Sequence, residues 1–319
     1  MRKGSAVALG FLAGFAAGIL LVVFGWRPLQ LVLDRLRPLT PRQRYARALE
    51  NAGLAHSALG VEWLSAAARA LEDPMTAAPA YEFDAVLDPG RPAALALSLR
   101  LEDGQRLDVR VTIAPDAQGC VFVDLFRRST RAQEPHAIES APENSSSLSY
   151  EASAADTYVV RVQPELLAEG RLHVAVTAGP SLMFPVAGRG ARDMQSGFGD
   201  PRDAARRRHE GVDFFAPRGT PVLSASDGFV MQVGENRLGG RVVWVWDMGR
   251  ALRLYYAHLQ DQSVRAGRFV HEGDRIGTVG NTGNARTAPP HLHFGIYRRG
   301  EGAVDPDGFI RPQPALPHR

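Results

Sequence analysis

The residues best suited to chemistry lie near the C-terminal end of the chain. His291 and His293 fall in the run Pro290-His291-Leu292-His293-Phe294-Gly295-Ile296-Tyr297. Side chains alternate across an extended strand, so Leu292, Phe294 and Ile296 share an apolar face and His291, His293, Gly295 and Tyr297 share the other. Two imidazoles side by side, opposite a buried face, have no obvious use in packing. His209 and Asp213 stand four residues apart in His209-Glu210-Gly211-Val212-Asp213. In an extended segment they too share a face, with Gly211 leaving room between them and Val212 and Phe214 turned away. Two imidazoles and one carboxylate make a three-ligand zinc site with an open fourth position. A third element is Leu254-Tyr255-Tyr256-Ala257-His258-Leu259. Alternation puts His258 on the face of Leu254 and Tyr256, at the end of a central strand from which it can point into a cleft.

The composition narrows the alternatives. The chain has 319 residues, room for two domains and a smaller piece. Its 45% hydrophobic and 22% charged residues argue against wholesale disorder, a coiled coil or a polytopic membrane protein. Cys120 is the one cysteine, which excludes an intrachain disulfide and an all-cysteine zinc site. Any metal must therefore be held by His, Asp or Glu. The net charge is +3 and Lys3 is the single lysine, so there is no polybasic tail and no nucleic-acid partner is expected.

The elements that must position these groups read as mainly β. Residues 186–312 are dense in glycine, with short alternating strands such as Arg241-Val242-Val243-Trp244-Val245-Trp246 and no long helical period. They predict a compact C-terminal β-barrel or sandwich-like domain. Residues 76–180 alternate in Ala94-Leu95-Ala96-Leu97-Ser98-Leu99-Arg100-Leu101, Leu107-Asp108-Val109-Arg110-Val111, Tyr158-Val159-Val160-Arg161-Val162 and Leu172-His173-Val174-Ala175-Val176. They predict an antiparallel β-sandwich module, with Asp103-Gly104 as a hairpin turn between the first two runs. Residues 140–149 are serine-rich and read as a loop; His136 and His173 read as surface or strand residues. Residues 27–75 form a helical juxtamembrane segment of two short helices packed beside the module. Thr40 is the N-cap, Pro41 the first helical residue, and Gly53 and Gly60 the breaks. Residues 313–319 are a tail.

The N-terminal residues point to a membrane. Residues 4–26 carry no charge, enough to span a bilayer core that needs about 20 residues. Residues 1–26 are read as an uncleaved transmembrane signal-anchor. Gly10, Gly14 and Gly18 leave a smooth groove on one helix face through which two copies can form a homodimer. The arginines that follow the span would by themselves favour a cytoplasmic body.

Six motifs in order carry a family resemblance: Arg208-His209-Glu210-Gly211-Val212-Asp213, Gly219-Thr220-Pro221-Val222, Ala225-x-x-Gly228-x-Val230, Tyr256-Ala257-His258-Leu259, Gly273-Asp274-x-Ile276-Gly277-x-Val279-Gly280-Asn281-Thr282-Gly283 and Pro290-His291-Leu292-His293-Phe294. Together they resemble the lysostaphin/LytM-type zinc metallopeptidases, family twenty-three of the metallopeptidases, over residues 196–306. The resemblance implies a fold with a duplicated hybrid motif. It implies one Zn2+ held by His209, Asp213 and His293, with His258 and His291 as non-ligand catalytic histidines. Pro289-Pro290 before His291 and Gly295 after Phe294 resemble a membrane-anchored bacterial subgroup with an upstream β module. Residues 206–208, three arginines, crowd the first ligand and read as a solvated charge run.

The implied activity is zinc-dependent endopeptidase cleavage of stem or bridge peptides in bacterial peptidoglycan. That substrate lies outside the cytoplasmic membrane, so the catalytic domain is expected on the periplasmic or extracellular side of a single-pass inner-membrane protein, against the arginine count. Which of His258 and His291 accepts the proton is open. There is no H-E-x-x-H, so Glu210 is not a thermolysin-like base; Tyr256 and Tyr297 are candidates to line the cleft. Two other readings are a catalytically silent regulator that activates a cell-wall amidase and a wall-binding scaffold.

Overall fold

The computed structural model describes residues 38–114, 118–128, 135–202 and 205–311. Residues 1–26, with Gly10, Gly14 and Gly18, and the tail at 313–319 lie outside the described residues. No helix among the described residues is long and apolar enough to cross a membrane. The described chain divides after Ala52 into two compact units.

The first contains helix α1 (Pro41–Asn51). Its start follows from local chemistry. The Gln43 N–H donates to the Thr40 hydroxyl, the Thr40 N–H donates to the Gln43 side chain, and Pro41 lacks only an N–H that the first turn leaves unpaired anyway.

The second unit opens at Gly53, whose φ of +73° makes it the break expected there. After a 3-10 turn (Leu54–His56) comes helix α2 (Ala58–Glu72), capped by Ser57. Gly60 lies inside α2 and breaks nothing; a Cβ there would meet the Leu54 carbonyl oxygen at 2.1 Å, so close approach of the preceding turn requires glycine. Trp63 anchors α2 to the strands that follow. Its Nε1–H donates to the Pro164 carbonyl at 2.8 Å, and Gln163 donates back to the Trp63 carbonyl at 2.8 Å.

Strands β1 (Met75–Thr76), β2 (Ala80–Leu87), β3 (Leu95–Leu101), β4 (Gln105–Ile113), β5 (Val121–Arg128), β6 (His136–Ser140), β7 (Ser147–Glu151), β8 (Asp156–Pro164) and β9 (Gly170–Pro180) form two sheets. Their orders are β1-β3-β8-β5-β6 and β2-β9-β4-β7. Leu97, Leu99, Leu101, Leu107, Val109, Val111, Tyr158, Val160, Val162, Leu172, Val174 and Val176 are buried between them, as their alternation requires. The serine-rich stretch is only in part a loop, since Ser147, Leu148 and Ser149 belong to β7. His173 bonds Asp84 at the surface and His136 pairs with Arg127 in β6. The Asp103-Gly104 turn does not make a hairpin. It joins β3 and β4, which lie in different sheets, so it carries the chain from one layer of the sandwich to the other.

The C-terminal sheet comprises β10 (Met194–Ser196), β13 (Val212–Phe215), β14 (Pro221–Leu223), β15 (Gly228–Asn236), β16 (Gly240–Asp247), β17 (Leu252–Gln262), β18 (Phe269–Val270), β19 (Arg275–Val279), β20 (His291–Arg298) and β21 (Gly302–Val304), with a small ladder of β11 (Pro201–Arg202) and β12 (Arg207–Arg208) beside it. Its path runs β10-β13-β20-β17-β16-β15-β18. Val212, Phe214, Val243, Val245, Leu254, Tyr256, Leu292, Phe294 and Ile296 fill one side. The chain is thus mainly β. The sandwich grips this sheet far from β17's C-terminal end. Arg298 donates to both Asp103 carboxylate oxygens (3.0 and 3.2 Å), Arg250 pairs with Glu151 at 2.7 Å, and the ring of Phe309, on the short helix α3 (Asp307–Ile310), lies where a Cβ on Gly104 would stand.

Candidate metal centre

Strand β20 is the backbone of the site. It pairs with β13 so that His293 is directly opposite Asp213 and His291 opposite Phe215. Leu292 and Phe294 drop into the core, which forces His291 and His293 to the other face. His209 precedes β13, and Gly211 lets the strands close: a Cβ there would meet the Phe294 carbonyl oxygen at 2.3 Å and the His293 ring at 2.9 Å. His209, Asp213 and His293 therefore converge. His209 Nε2 is 3.0 Å from Asp213 Oδ1 and 2.9 Å from His293 Nδ1, and His293 Nδ1 is 3.0 Å from the same Oδ1.

That triangle suits a small cation. His209 already donates its Nδ1–H to the Gly197 carbonyl at 2.7 Å, so its neutral ring offers a lone pair at Nε2. Three lone pairs aimed at one point repel unless a proton or an ion stands between them. A tetrahedral site with bonds of about 2.0–2.1 Å has edges of about 3.3 Å, so the triangle need open by only a few tenths of an ångström. Two nitrogens and one carboxylate oxygen form the donor set of a borderline-soft ion such as zinc. Burial pushes the Asp213 carboxyl upward, but the hydrogen bonds that His209 and His293 can donate outweigh it and hold the group well below the usual carboxylate range. Burial lowers His293, against the raising effect of Asp213.

His258 reaches the site by a route that alternation does not predict. Between Arg241↔Leu259 and Val243↔Tyr256, β17 places two residues, Ala257 and His258, against the single Val242 of β16. This bulge, with His258 at φ +61°, turns the imidazole away from the core face of Leu254 and Tyr256 and toward His291 and His293. Its ring centroid is 4.9 Å from that of His291 and 6.0 Å from that of His293. The expectation that His258 shares the face of Leu254 and Tyr256 is corrected accordingly.

The two non-ligand imidazoles are held alike. His258 donates Nδ1–H to the Thr282 carbonyl at 2.9 Å, and its backbone N–H to the Gly239 carbonyl at 2.7 Å. His291 donates Nδ1–H to the Pro289 carbonyl at 2.8 Å and stacks on Phe215. Neither Nε2 has a hydrogen-bond partner among the described residues, so each can serve as a proton acceptor. Burial, then the neighbouring His291 and His293, push His258 down to about 4, so it is neutral at pH 7.

Tyr256 does not line the cleft. It is fully buried against Phe294, and its hydroxyl accepts the Ala225 N–H at 2.9 Å. Tyr297 is on the open face, where its hydroxyl donates to Glu210 at 3.2 Å. The arginines at 206–208 are exposed, and Arg208 bonds the Gly199 carbonyl. Sequence reasoning missed Arg202, which donates to Asp213 Oδ2 at 2.8 Å and to the Ser196 hydroxyl at 2.5 Å. The only hint is the turn-rich string Ser196-Gly197-Phe198-Gly199-Asp200-Pro201-Arg202 just before His209.

Residues 207–306 match the family described as Peptidase family M23. The L-Ala--D-Glu endopeptidase of Bacillus subtilis is 37% identical over 139 residues, 40% of this chain and 42% of that protein. The peptidoglycan DD-endopeptidase ShyC of Vibrio cholerae is 39% identical over 88 residues, 28% of this chain and 20% of that protein. The chain thus spans less than half the length of these relatives. Among solved structures, the catalytic domain of the antimicrobial peptidase lysostaphin from Staphylococcus simulans is 32% identical, with 35% of this chain and 87% of that one covered and a TM-score of 0.33.

Proposed function

We propose that the chain, whose residues 207–306 match peptidase family M23, is a zinc-dependent endopeptidase that cuts peptide bonds in bacterial peptidoglycan. The observation that carries this reading is the triangle of His209 Nε2, Asp213 Oδ1 and His293 Nδ1, flanked by two further imidazoles with free Nε2 atoms. The names of the relatives support the substrate class, two of them being peptidoglycan or L-Ala–D-Glu endopeptidases.

His209, Asp213 and His293 would hold the ion. A zinc ion bound there would supply Lewis acidity toward a carbonyl oxygen and toward water. The chain's own residues do the rest. Neutral His258 can accept a proton at Nε2, because its Nδ1–H is committed to Thr282. His291, fixed through Pro289, faces the same space and can hydrogen-bond the oxygen on which charge develops when it carries the second proton. Asp213 lowers the net charge of the centre, and Arg202 holds its outer oxygen.

The same reading places the catalytic domain on the periplasmic or extracellular side of the cytoplasmic membrane, held by residues 1–26, with pairing through Gly10, Gly14 and Gly18 open to two copies. Digestion of muropeptides of known structure by the full-length protein in detergent, read by mass spectrometry, tests the activity. Chelator-sensitive cleavage at a peptide bond is expected. Intact muropeptides with a zinc-loaded protein would overturn the hydrolase and favour the amidase-activating regulator.

A further inference from the structure

The open face of the C-terminal sheet continues past the histidines. In register, Gly295 lies opposite Tyr255, and Tyr255 opposite Trp244. One step along, Tyr297 lies opposite Arg253, Arg253 opposite Trp246, Trp246 opposite Phe229, and Phe229 opposite Phe269. Directly opposed residues project to the same side of a sheet, so these side chains share the face of His293. The rings form two runs, with Arg253 and Trp246 in register between them. Centroids are 5.8 Å apart for His293 and Tyr255, 4.4 Å for Tyr255 and Trp244, 5.1 Å for Trp244 and Tyr297, and 5.0 Å for Phe229 and Phe269. Gly295 keeps the floor low between them, since a Cβ there would meet the Tyr297 ring at 3.1 Å.

The outer half of this row is open to solvent. Phe229, Trp246 and Phe269 are 37%, 41% and 42% exposed. The solvated face of an antiparallel sheet ordinarily carries polar residues, and a contiguous exposed apolar patch marks an interaction site. The chemistry here is specific. The residues are flat rings rather than branched aliphatic chains, and the exposed Arg253 and Glu210 stand among them with hydrogen-bonding groups. A pyranose ring presents the complement, a flat C–H face with a rim of hydroxyls. From β20 to β18 the row crosses four strand spacings, about 19 Å at about 4.8 Å each, room for more than one sugar ring.

We propose that this aromatic row is a saccharide-binding platform, continuous with the metal centre, that receives the glycan strand from which the cleaved peptides branch. The proposal rests on the peptidase reading above. It assigns Trp246, Phe229 and Phe269 to the glycan, and Tyr255, Trp244 and Tyr297 to the junction between sugar and peptide. Stacking buries the apolar faces of ring and sugar together, while Arg253 and Glu210 meet the hydroxyls.

The test compares wild type with Trp246→Ala, Phe269→Ala and Trp246→Phe in the full-length protein. Cleavage is measured on intact sacculi and on cross-linked stem peptides freed of sugar, and cosedimentation of metal-free protein with sacculi is measured alongside. The alanine variants should lose at least about fivefold in sacculus cleavage and in cosedimentation, as truncation of an aromatic anchor does, and stay within about twofold on the free peptides. Trp246→Phe should keep most of the binding. Equal losses on both substrates, or no loss on either, would overturn the platform. So would a wild type that sediments as a dimer and a Trp246→Ala variant that is monomeric, which would make the face a self-association surface. Wild type that cuts neither substrate would count against the peptidase reading; cosedimentation, which needs no catalysis, would still decide the platform.

Discussion

Arg202 and Asp213 are joined through the carboxylate oxygen that the ligand triangle does not use: Nη2 donates to Oδ2 at 2.8 Å, while Oδ1 lies 3.0 Å from both His209 Nε2 and His293 Nδ1. The guanidinium fixes the rotation of the carboxylate, so one oxygen alone is presented to an ion. Partners behind a ligand are commonly worth about 10–100-fold in metal affinity. Arg202→Ala should weaken zinc binding by about that factor in competition with a chelating dye, and Arg202→Lys should restore part of it. Unchanged affinity in Arg202→Ala would reduce the contact to surface electrostatics.

Metal binding and catalysis should separate by residue. His209→Ala, Asp213→Ala and His293→Ala each leave two ligands and should lose stoichiometric zinc. His258→Ala and His291→Ala should keep it, yet lose about 10²–10⁴-fold in turnover, the usual scale of acid–base assistance. Zinc content by atomic absorption and muropeptide cleavage read the two properties independently. A zinc-free His291→Ala beside a zinc-loaded His293→Ala would exchange the roles of the two histidines.

The backbone at His258 carries its own prediction. At φ +61° a residue with a Cβ is disfavoured by about 1–2 kcal/mol, and glycine is not. His258→Gly should therefore unfold at higher urea than His258→Ala, although it removes one atom more and regains chain entropy when unfolded. The reverse order would mean that the surroundings of His258, rather than its backbone, set the stability there.

Acid should weaken the metal-free protein over a defined window. His258 is pushed down to about 4, against about 6.5 for a free imidazole. Between those values the unfolded chain binds more protons than the folded one, so stability rises with pH from about 4 to about 6.5 and is flat above. Urea midpoints measured across this range should climb, and less steeply in His258→Asn. Equal slopes would assign the dependence to other groups.

The sandwich and the C-terminal sheet should unfold together. Gly104 has φ +84°, and the Phe309 ring is 2.4 Å from where its Cβ would be. Gly104→Ala must both strain the turn and displace the ring, a loss of about 1–3 kcal/mol by the usual scale of overpacking. Calorimetry should show one transition in wild type and a lower, broader or split transition in the variant. An unaltered trace would mean that Arg298–Asp103 and Arg250–Glu151 hold the two parts without that contact.

The legible parts of the site were those that follow a simple period. Leu292, Phe294 and Ile296 reveal the core face of β20, and with it the opposite placement of His291 and His293. The spacing of His209 and Asp213 does the same where β13 begins, and Gly211 marks the close approach. What escaped is whatever breaks a period or depends on distant chain. The bulge at His258 adds a residue that no alternation records, so the sequence places that imidazole on the core side. Asp103-Gly104 encodes a local reversal, but which strands pair is settled by the two layers of the sandwich. Tyr256 resembles a cleft residue until β16 and β20 close around it. Arg202 comes from an irregular turn, where nothing in the order of residues says which oxygen it will meet.

The extra residue that swings His258 outward is also a point of hereditary fragility. Loss of the His258 codon would leave Ala257 alone opposite Val242 and restore unbroken pairing of β16 with β17. The apolar core and the His209, Asp213 and His293 cluster would remain, but no imidazole would stand where His258 now does. On the proposed function, a lineage could thus lose catalysis through a single-codon deletion while keeping the ligand cluster and the core around it.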